Sequence, residues 1–315
     1  MYKIYKTSRG KLWNPKNPEP GCWIDISAPT EEELKKLSPY FDIPEEVLIS
    51  VRDLDEVPKV EEEENFQFIL IQTPLNKAQS GEGEYSTVPL GILYNRDYII
   101  TLTDGKNDVM NYLRLKLKNF ANNKIINTSQ KQQLIMKLIL FASKIYIRYL
   151  KVINSSILSA QDQLEKRAQN ENITQLMDIG KSLAYFNRSL RSNHFVVEKL
   201  SKRKIFKATE EDEELVEDSF DETNQAIETV KIYTRIVIDT ANTFSTIISN
   251  EVNRTVKTLT SITIILMIPT LVASIYGMNI PLPYQDSPHA FVIVIGMLAI
   301  SSIMGILFFY RSKLF

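Results

Sequence analysis

The chain has 315 residues, which corresponds to about two domains at roughly 150 residues each. Its 37 Lys and Arg residues are balanced by 38 Asp and Glu residues, and this balance excludes a nucleic-acid binder that works through bulk positive charge. The single cysteine, Cys22, excludes a disulfide framework and a CxxC-type metal site. The two histidines are far apart in the sequence and leave little for imidazole-based catalysis or metal binding.

Short β-rich segments alternate with helix signals over residues 1–105. Thr30 followed by three glutamates indicates a capped helix start, and Pro44 indicates a proline in the first turn of the next helix. The strand candidates are rich in Ile, Tyr, Phe and Val and comprise residues 2–5, 23–26, 66–72, 88–94 and 98–102. We therefore predict a cytoplasmic α/β domain with a mixed sheet.

Helical patterns replace the strand signals over residues 106–208. A helix is predicted over residues 107–120, and Ser129 with Gln132 forms a capping-box signature for a second helix that extends to about residue 167. A further helix over about 173–206 is expected to pack back against it.

A long stalk helix is predicted over residues 209–257. Thr209 and Asp212 mark its start, and no glycine or proline occurs from Thr209 to Ile268. Its apolar positions predict packing against copies of itself or against neighbouring helices, and they are Phe220, Ile227, Thr234, Ala241 and Ile248 at heptad spacing, with Val230, Val237 and Phe244 between them.

Two uncharged stretches follow, from Thr258 to Gln285 and from Ser287 to Tyr310. Each is longer than the ~20 residues that a helix needs to cross a bilayer. We predict a first transmembrane helix at 258–280, an extracytoplasmic loop at 281–288, a second transmembrane helix at 289–310 and a basic tail at 311–315. The alternative, a buried hairpin in a soluble core, is disfavoured because buried helices rarely stay uncharged for so long.

Basic residues set the expected orientation of this hairpin. Arg254 and Lys257 precede the first span, and Arg311 and Lys313 follow the second. Since basic residues accumulate on the cytoplasmic side, we expect both termini in the cytoplasm. The N-terminus also lacks the apolar segment of a signal peptide.

The first span carries one small, weakly polar face. Thr263, Met267, Thr270, Ser274 and Gly277 recur at alternating spacings of four and three, which places them on one side of a helix. Such a face either packs closely on a neighbouring helix or lines water. One hairpin cannot enclose a pore, so the second alternative requires a homo-oligomer.

The first span ends in Tyr276-Gly277-Met278-Asn279. Together with Ser249-Asn250, Thr258-Leu259-Thr260, the short loop and the second span, this segment resembles the CorA family of magnesium channels, whose signature is Gly-Met-Asn at this position. The resemblance implies a funnel-shaped homopentamer in the lipid bilayer. It also implies a selectivity filter at Gly277, Met278 and Asn279, a pore lined by Thr270, Met267, Leu259 and Val256, and regulatory Mg²⁺ held between subunits at Asp218 and Asp221.

The chemistry of Mg²⁺ agrees with this resemblance. Mg²⁺ loses its water reluctantly, and the neutral carboxamide of Asn279 is able to accept hydrogen bonds from that water without holding the ion as tightly as a carboxylate would. Gly and Asn are also typical left-handed residues at helix ends. We expect both roles together, with the cap presenting Asn279 to the pore.

The sequence departs from the family in two places. No acidic partner for the stalk aspartates occurs near Leu75-Asn76-Lys77, although Glu82 and Glu84 are nearby, and the basic cluster after the second span is thin.

A gated Mg²⁺ channel, with Co²⁺ or Ni²⁺ as further ions, is therefore the expected function. A zinc transporter of the same family and a membrane-anchored metal-sensing scaffold remain alternatives. An enzyme is not expected, because no phosphate loop, nucleophile motif or paired His/Glu metal site occurs.

Overall fold

The chain divides into two compact units, Met1–Ala241 and Asn242–Phe315. The structure, a computed structural model, describes residues 2–8, 11–41, 43–77, 85–119, 126–166, 170–278, 283 and 288–311. The first unit is an α/β domain extended by long helices, and the second consists of apolar helices.

A seven-stranded mixed sheet forms the centre of the first unit. Its strands are β1 (Tyr2–Ser8), β2 (Lys11–Trp13), β3 (Cys22–Ser27), β4 (Lys59–Glu62), β5 (Gln67–Asn76), β6 (Tyr85–Tyr94) and β7 (Tyr98–Thr103). They lie in the order β2-β1-β3-β7-β6-β5-β4. β3 and β7 pair in parallel, and the other neighbouring strands are antiparallel. The predicted mixed sheet is confirmed, and the two edge strands, β2 and β4, are additions to the five predicted strands.

Helices cover both faces of this sheet. Helices α1 (Glu31–Phe41) and α2 (Glu45–Arg52) close one apolar core, in which Val47 and Val51 pack with Phe68, Leu70 and Leu102. The other and larger core is covered by α3 (Asp108–Asn119), α4 (Lys131–Lys166) and α5 (Asn170–Ser201). Alternation along the strands therefore places apolar side chains on both faces, as expected for a sheet that helices cover on both sides.

Local capping explains where several helices begin. Thr30 and Glu33 bond each other's backbone N–H groups at 3.1 and 3.2 Å, which confirms the predicted helix start. Pro44 is the residue before α2 and has an extended backbone, so it lies one position earlier than predicted. The predicted capping role of Ser129 is wrong, because α4 begins only at Lys131.

The longest helix, α6 (Glu210–Tyr276), contributes to both units. Its start is a reciprocal cap between Thr209 and Asp212, with distances of 3.0 and 3.2 Å, as predicted. In the first unit it runs parallel to α4. Ser143 on α4 bonds Thr223 on α6, 80 residues later, and Gln161 bonds Thr240, 79 residues later, so the two helices advance in the same direction.

The predicted apolar seam of α6 is covered by helices of the same chain over its first half. Ile227, Val230 and Val237 are at most 7% exposed and belong to the larger core. The heptad pattern allowed packing against other copies of α6 or against neighbouring helices. In this part of the seam, neighbouring helices of the same chain are the partners.

The second unit contains the end of α6 and helix α7 (Ala290–Arg311). Both helices are long and apolar enough to cross a membrane. In the most apolar segment of each helix, only 6% of the residues of α6 and 0% of those of α7 are buried. They approach each other where Gly305 lies beside Ile265. An apolar surface of this extent is typical of protein that contacts lipid or further chains.

Candidate functional site

One uncharged stripe runs along the apolar C-terminal part of α6. Its residues recur every three or four positions and are all exposed: Val256, Leu259, Thr263, Met267, Thr270, Ser274 and Gly277. We call this set the α6 stripe. Thr263 and Ser274 extend the expected set of pore residues, and the same helical spacing was the sequence signal for them.

The opposite side of the helix approaches α7 at Ile265, which lies beside Gly305. Less exposed residues follow the same three-and-four spacing, and they are Thr258, Ser261, Ile265, Pro269, Val272 and Tyr276. At 3.6 residues per turn, the centre of this row lies about 150° from the centre of the α6 stripe. The stripe therefore points away from α7 and is available to other chains or to water.

The two threonines of the stripe present hydrogen-bond acceptors. The Thr263 hydroxyl donates to the Leu259 carbonyl at 2.8 Å, and the Thr270 hydroxyl donates to the Leu266 carbonyl at 2.7 Å. Each hydroxyl proton is thus used within the helix, while the oxygen lone pairs remain able to accept. The water molecules around a cation point their hydrogen atoms outward, so acceptors of this kind suit a hydrated cation.

Larger apolar side chains occupy three other positions of the stripe. Val256, Leu259 and Met267 are 54%, 64% and 63% exposed. Where several copies bring such side chains together around an axis, they form an apolar constriction that is able to exclude water.

Helix α6 ends at Tyr276, directly before the Gly-Met-Asn motif. The Gly277 N–H bonds the carbonyls of Ala273 and Ser274 at 3.0 and 3.2 Å, and the Met278 N–H bonds the carbonyl of Ile275 at 3.2 Å. Within the described ranges Gly21 has a positive φ but Gly277 does not. Gly277 is therefore not left-handed, because bonds three residues apart tighten the last turn, and the left-handed conformation expected of this motif stays a prediction for Asn279. Asn279 lies outside the described residues.

The two candidate regulatory aspartates lie in the first unit. Asp218 and Asp221 are both exposed and stand about one turn apart on α6. In the part of the chain that the structure describes, no three His, Cys, Asp or Glu side chains are grouped closely enough to hold a metal. The described residues of one chain therefore do not form a complete metal site at these aspartates.

Comparison with known proteins finds similarity over almost the whole chain. The family model described as "CorA-like Mg2+ transporter protein" matches residues 19–311. The cobalt/magnesium transport protein CorA of Methanocaldococcus jannaschii is 28% identical over 92% of this chain and 90% of its own length. The protein of the same name from Thermotoga maritima is 22% identical over 92% of this chain and 82% of its own length.

The fold is also that of a solved structure. The complete structure of the CorA magnesium transporter from M. jannaschii matches with a TM-score of 0.86 at 24% identity, covering 99% of this chain and 98% of the other. This match includes both the α/β domain and the apolar helices.

Proposed function

The chain belongs to the family of CorA-like Mg²⁺ transporter proteins, and on this premise we propose that it is a homo-oligomeric channel for hydrated Mg²⁺. The oligomer, a pentamer by the family's expectation, lies in the cytoplasmic membrane with both termini of each chain in the cytoplasm. Members of this family are transporters or channels, not enzymes.

The observation that carries the proposal is the α6 stripe. It is uncharged, it is exposed along its whole length, and it faces away from α7. A stripe with acceptor oxygens that the chain itself leaves uncovered is suited to line water at the centre of an oligomer.

The outer end of the pathway is proposed to select the ion. Gly277 and Met278 follow the last turn of α6, and the neutral carboxamide oxygen of Asn279 is proposed to accept hydrogen bonds from the water around the ion. A charged group is absent from residues 258–285, which favours a passage of weak sites that release a divalent ion.

The inner end is proposed to close the channel. Val256, Leu259 and Met267 would form the apolar constriction, and Mg²⁺ bound between subunits at Asp218 and Asp221 would hold it closed. Both carboxylates are exposed, so they are accessible to a neighbouring subunit. A fall in cytoplasmic Mg²⁺ would empty these sites and release the stalks.

The choice of ion rests on the ligands that the stripe lacks. Zn²⁺ favours His and Cys, and residues 256–279 contain neither. We therefore propose Mg²⁺ as the main ion, with Co²⁺ and Ni²⁺ as further ions, ahead of Zn²⁺.

The experiment that tests this function is ion flux into liposomes that contain the purified full chain. Mg²⁺, Co²⁺, Ni²⁺ and Zn²⁺ are compared in parallel for the native chain and for Asn279→Ala. Asn154→Ala, which removes the same side chain from α4, is the matched control. We expect Mg²⁺ flux in the native chain and the control, and a large loss in Asn279→Ala.

Three results would contradict the proposal. Equal Mg²⁺ flux in Asn279→Ala would remove the filter mechanism, and the absence of flux for every ion would favour a membrane-anchored metal-sensing scaffold. Flux of Zn²⁺ alone would assign the zinc alternative.

A further inference from the structure

A polar cleft of about 180 Å³ opens in the first unit, and no residue of the α6 stripe lines it. It lies between the segment that joins α2 to β4, the strands β5 and β6, and helix α5. The residues that matter for its chemistry are Asp55, Gln72, Lys77, Ser86, Tyr185 and Arg188.

Two buried polar atoms in the cleft wall have no hydrogen-bond partner among the described residues. Gln72 is 3% exposed and Ser86 is 9% exposed, and neither the Gln72 Oε1 atom nor the Ser86 Oγ atom has a hydrogen-bond partner within the described ranges. Buried polar atoms are nearly always paired in folded proteins. A ligand that donates hydrogen bonds would satisfy both.

The orientation of the Gln72 amide is fixed by its other end. Its Nε2 atom donates to the carbonyls of Leu54 and Glu56 at 3.2 and 3.0 Å. Since these two acceptors require the nitrogen on that side, the remaining oxygen is an acceptor and not a flipped donor. The inner part of the cleft therefore offers an acceptor to a ligand.

The outer part of the cleft offers donors. Arg188 donates from Nη1 to the Asp55 carboxylate at 2.9 Å and from Nη2 to the Asp55 carbonyl at 2.8 Å, and its side chain is 55% exposed. These two bonds leave other guanidinium N–H groups for an anion. Lys77 adds a second cationic side chain to the lining.

The charges of the lining favour a ligand with no net charge. Asp55 pairs with Arg188 at 2.9 Å and Glu56 pairs with Lys59 at 3.0 Å, so these charges compensate each other and neither a free cation nor a free anion is favoured overall. A zwitterion suits both parts of the cleft, because its ammonium group donates to the inner acceptors and its carboxylate accepts from the outer donors. The volume is close to that of a cavity of about 150 Å³ that holds benzene, so the ligand has few heavy atoms.

We propose that this cleft binds a small free α-amino acid as its zwitterion. The ammonium group donates to Gln72 Oε1 and Ser86 Oγ, and the carboxylate accepts from Arg188. This binding does not depend on the proposed transport function, and its test is separate from ion flux.

The test is isothermal titration calorimetry on the purified full chain with glycine, L-serine and L-threonine as probes. The N-acetyl derivatives remove the ammonium group, and the methyl esters remove the carboxylate. We expect at least one free amino acid to bind and both derivatives to bind at least about tenfold more weakly, since each loses a hydrogen bond to a charged group.

Two variants locate the binding in the cleft. Arg188→Ala and Ser86→Ala are each expected to weaken it, by about tenfold for Arg188→Ala because a charge-assisted contact is lost. Arg191→Ala is the matched control, because Arg191 lies on the same helix and bonds Asn187 instead; it is expected to bind as the native chain does. Thermal unfolding of each variant without ligand checks that it is folded.

The proposal is overturned if none of the three amino acids binds at about 10 mM, which is ten times a weak Kd of about 1 mM. It is equally overturned if the derivatives bind as well as the free amino acids, or if binding is unchanged in both Arg188→Ala and Ser86→Ala.

Discussion

Asp25 shows how a single buried charge is held in the first unit. It is 2% exposed, and both of its carboxylate oxygens accept from Arg114, at 2.7 and 3.0 Å. Thr101 also donates to it at 3.3 Å. This pair joins β3 to α3, and a residue this deep in the sheet depends on its partner, because removing one member of a buried ion pair leaves the other uncompensated.

Asp25→Asn is therefore expected to lower the free energy of unfolding by about 3 kcal/mol or more. Denaturant titration of the full chain measures this, with Trp fluorescence as the signal, because both tryptophans, Trp13 and Trp23, are in the first unit. The control is Asp104→Asn. Asp104 pairs with Arg52 at 3.3 Å, where both side chains are more than 40% exposed, and its loss is expected to cost less than about 1 kcal/mol. Equal losses in the two variants would contradict this account.

Two of the four predicted helix starts form as the sequence indicates. The caps at Thr30 and Thr209 form as expected, because a cap depends only on residues three positions apart. The edge strands β2 and β4 have three and four residues, which is too short for an alternating pattern to be visible. Ser129 carried a cap signature that the structure does not use, because Gln130 and not Ser129 directly precedes α4.

The close approach of α2 to the sheet was not visible in the sequence, and Gly91 on β6 shows why. A Cβ atom at this position would lie 2.5 Å from Cγ2 of Val51 on α2 and 3.3 Å from Cε2 of Phe68. Since the first distance is shorter than any normal contact, the glycine permits α2 to lie close to the sheet. Nothing in the sequence around Gly91 indicates which helix approaches it.

Gly91→Ala is expected to destabilise the first unit by about 1–3 kcal/mol, the usual cost of overpacking a core. The same Trp fluorescence titration measures it. In a Val51→Ala background the cost of Gly91→Ala is expected to be smaller, because the clashing methyl group is absent. If Gly91→Ala lowers the free energy of unfolding by the same amount with and without Val51→Ala, then the Val51 side chain is not the group that resists the added methyl group.

The α6 stripe supports a prediction for the constriction. Met267→Thr replaces an exposed apolar side chain with a polar one and is expected to increase Mg²⁺ flux into liposomes, since a polar constriction holds water more readily. Ile268→Thr is the control, because the next residue on a helix lies 100° further round, away from the stripe. An increase of the same size in Ile268→Thr, or a decrease in Met267→Thr, would speak against a dewetting constriction on this face.

At the scale of the whole molecule, the sequence predicted the fold class and the two apolar C-terminal helices. Uncharged length alone identified those helices, because a bilayer imposes a minimum number of apolar residues. The stripe was also visible from spacing, but its exposure was not. The burial of Ser261 and the partial burial of Ile265 were needed to show that the stripe faces away from α7.

The proposed role of the regulatory aspartates depends on a neighbouring subunit. Asp218 and Asp221 were placed by resemblance, and the described residues of this chain supply no complete group of metal ligands around them. A site between subunits depends on where two surfaces meet, and local sequence patterns carry no information on that distance. Their role therefore remains a proposal.

The most direct test of the central claim is the water accessibility of Thr270 in the assembled protein. Cys22 is the single cysteine and is fully buried, so Cys22→Ser provides a background for Thr270→Cys and for the control Ile268→Cys. A charged, membrane-impermeant thiol reagent is added during Mg²⁺ flux into liposomes. We predict that it blocks flux through Thr270→Cys and leaves Ile268→Cys unaffected; an unreactive Thr270→Cys in a conducting protein would contradict a pore lined by the α6 stripe.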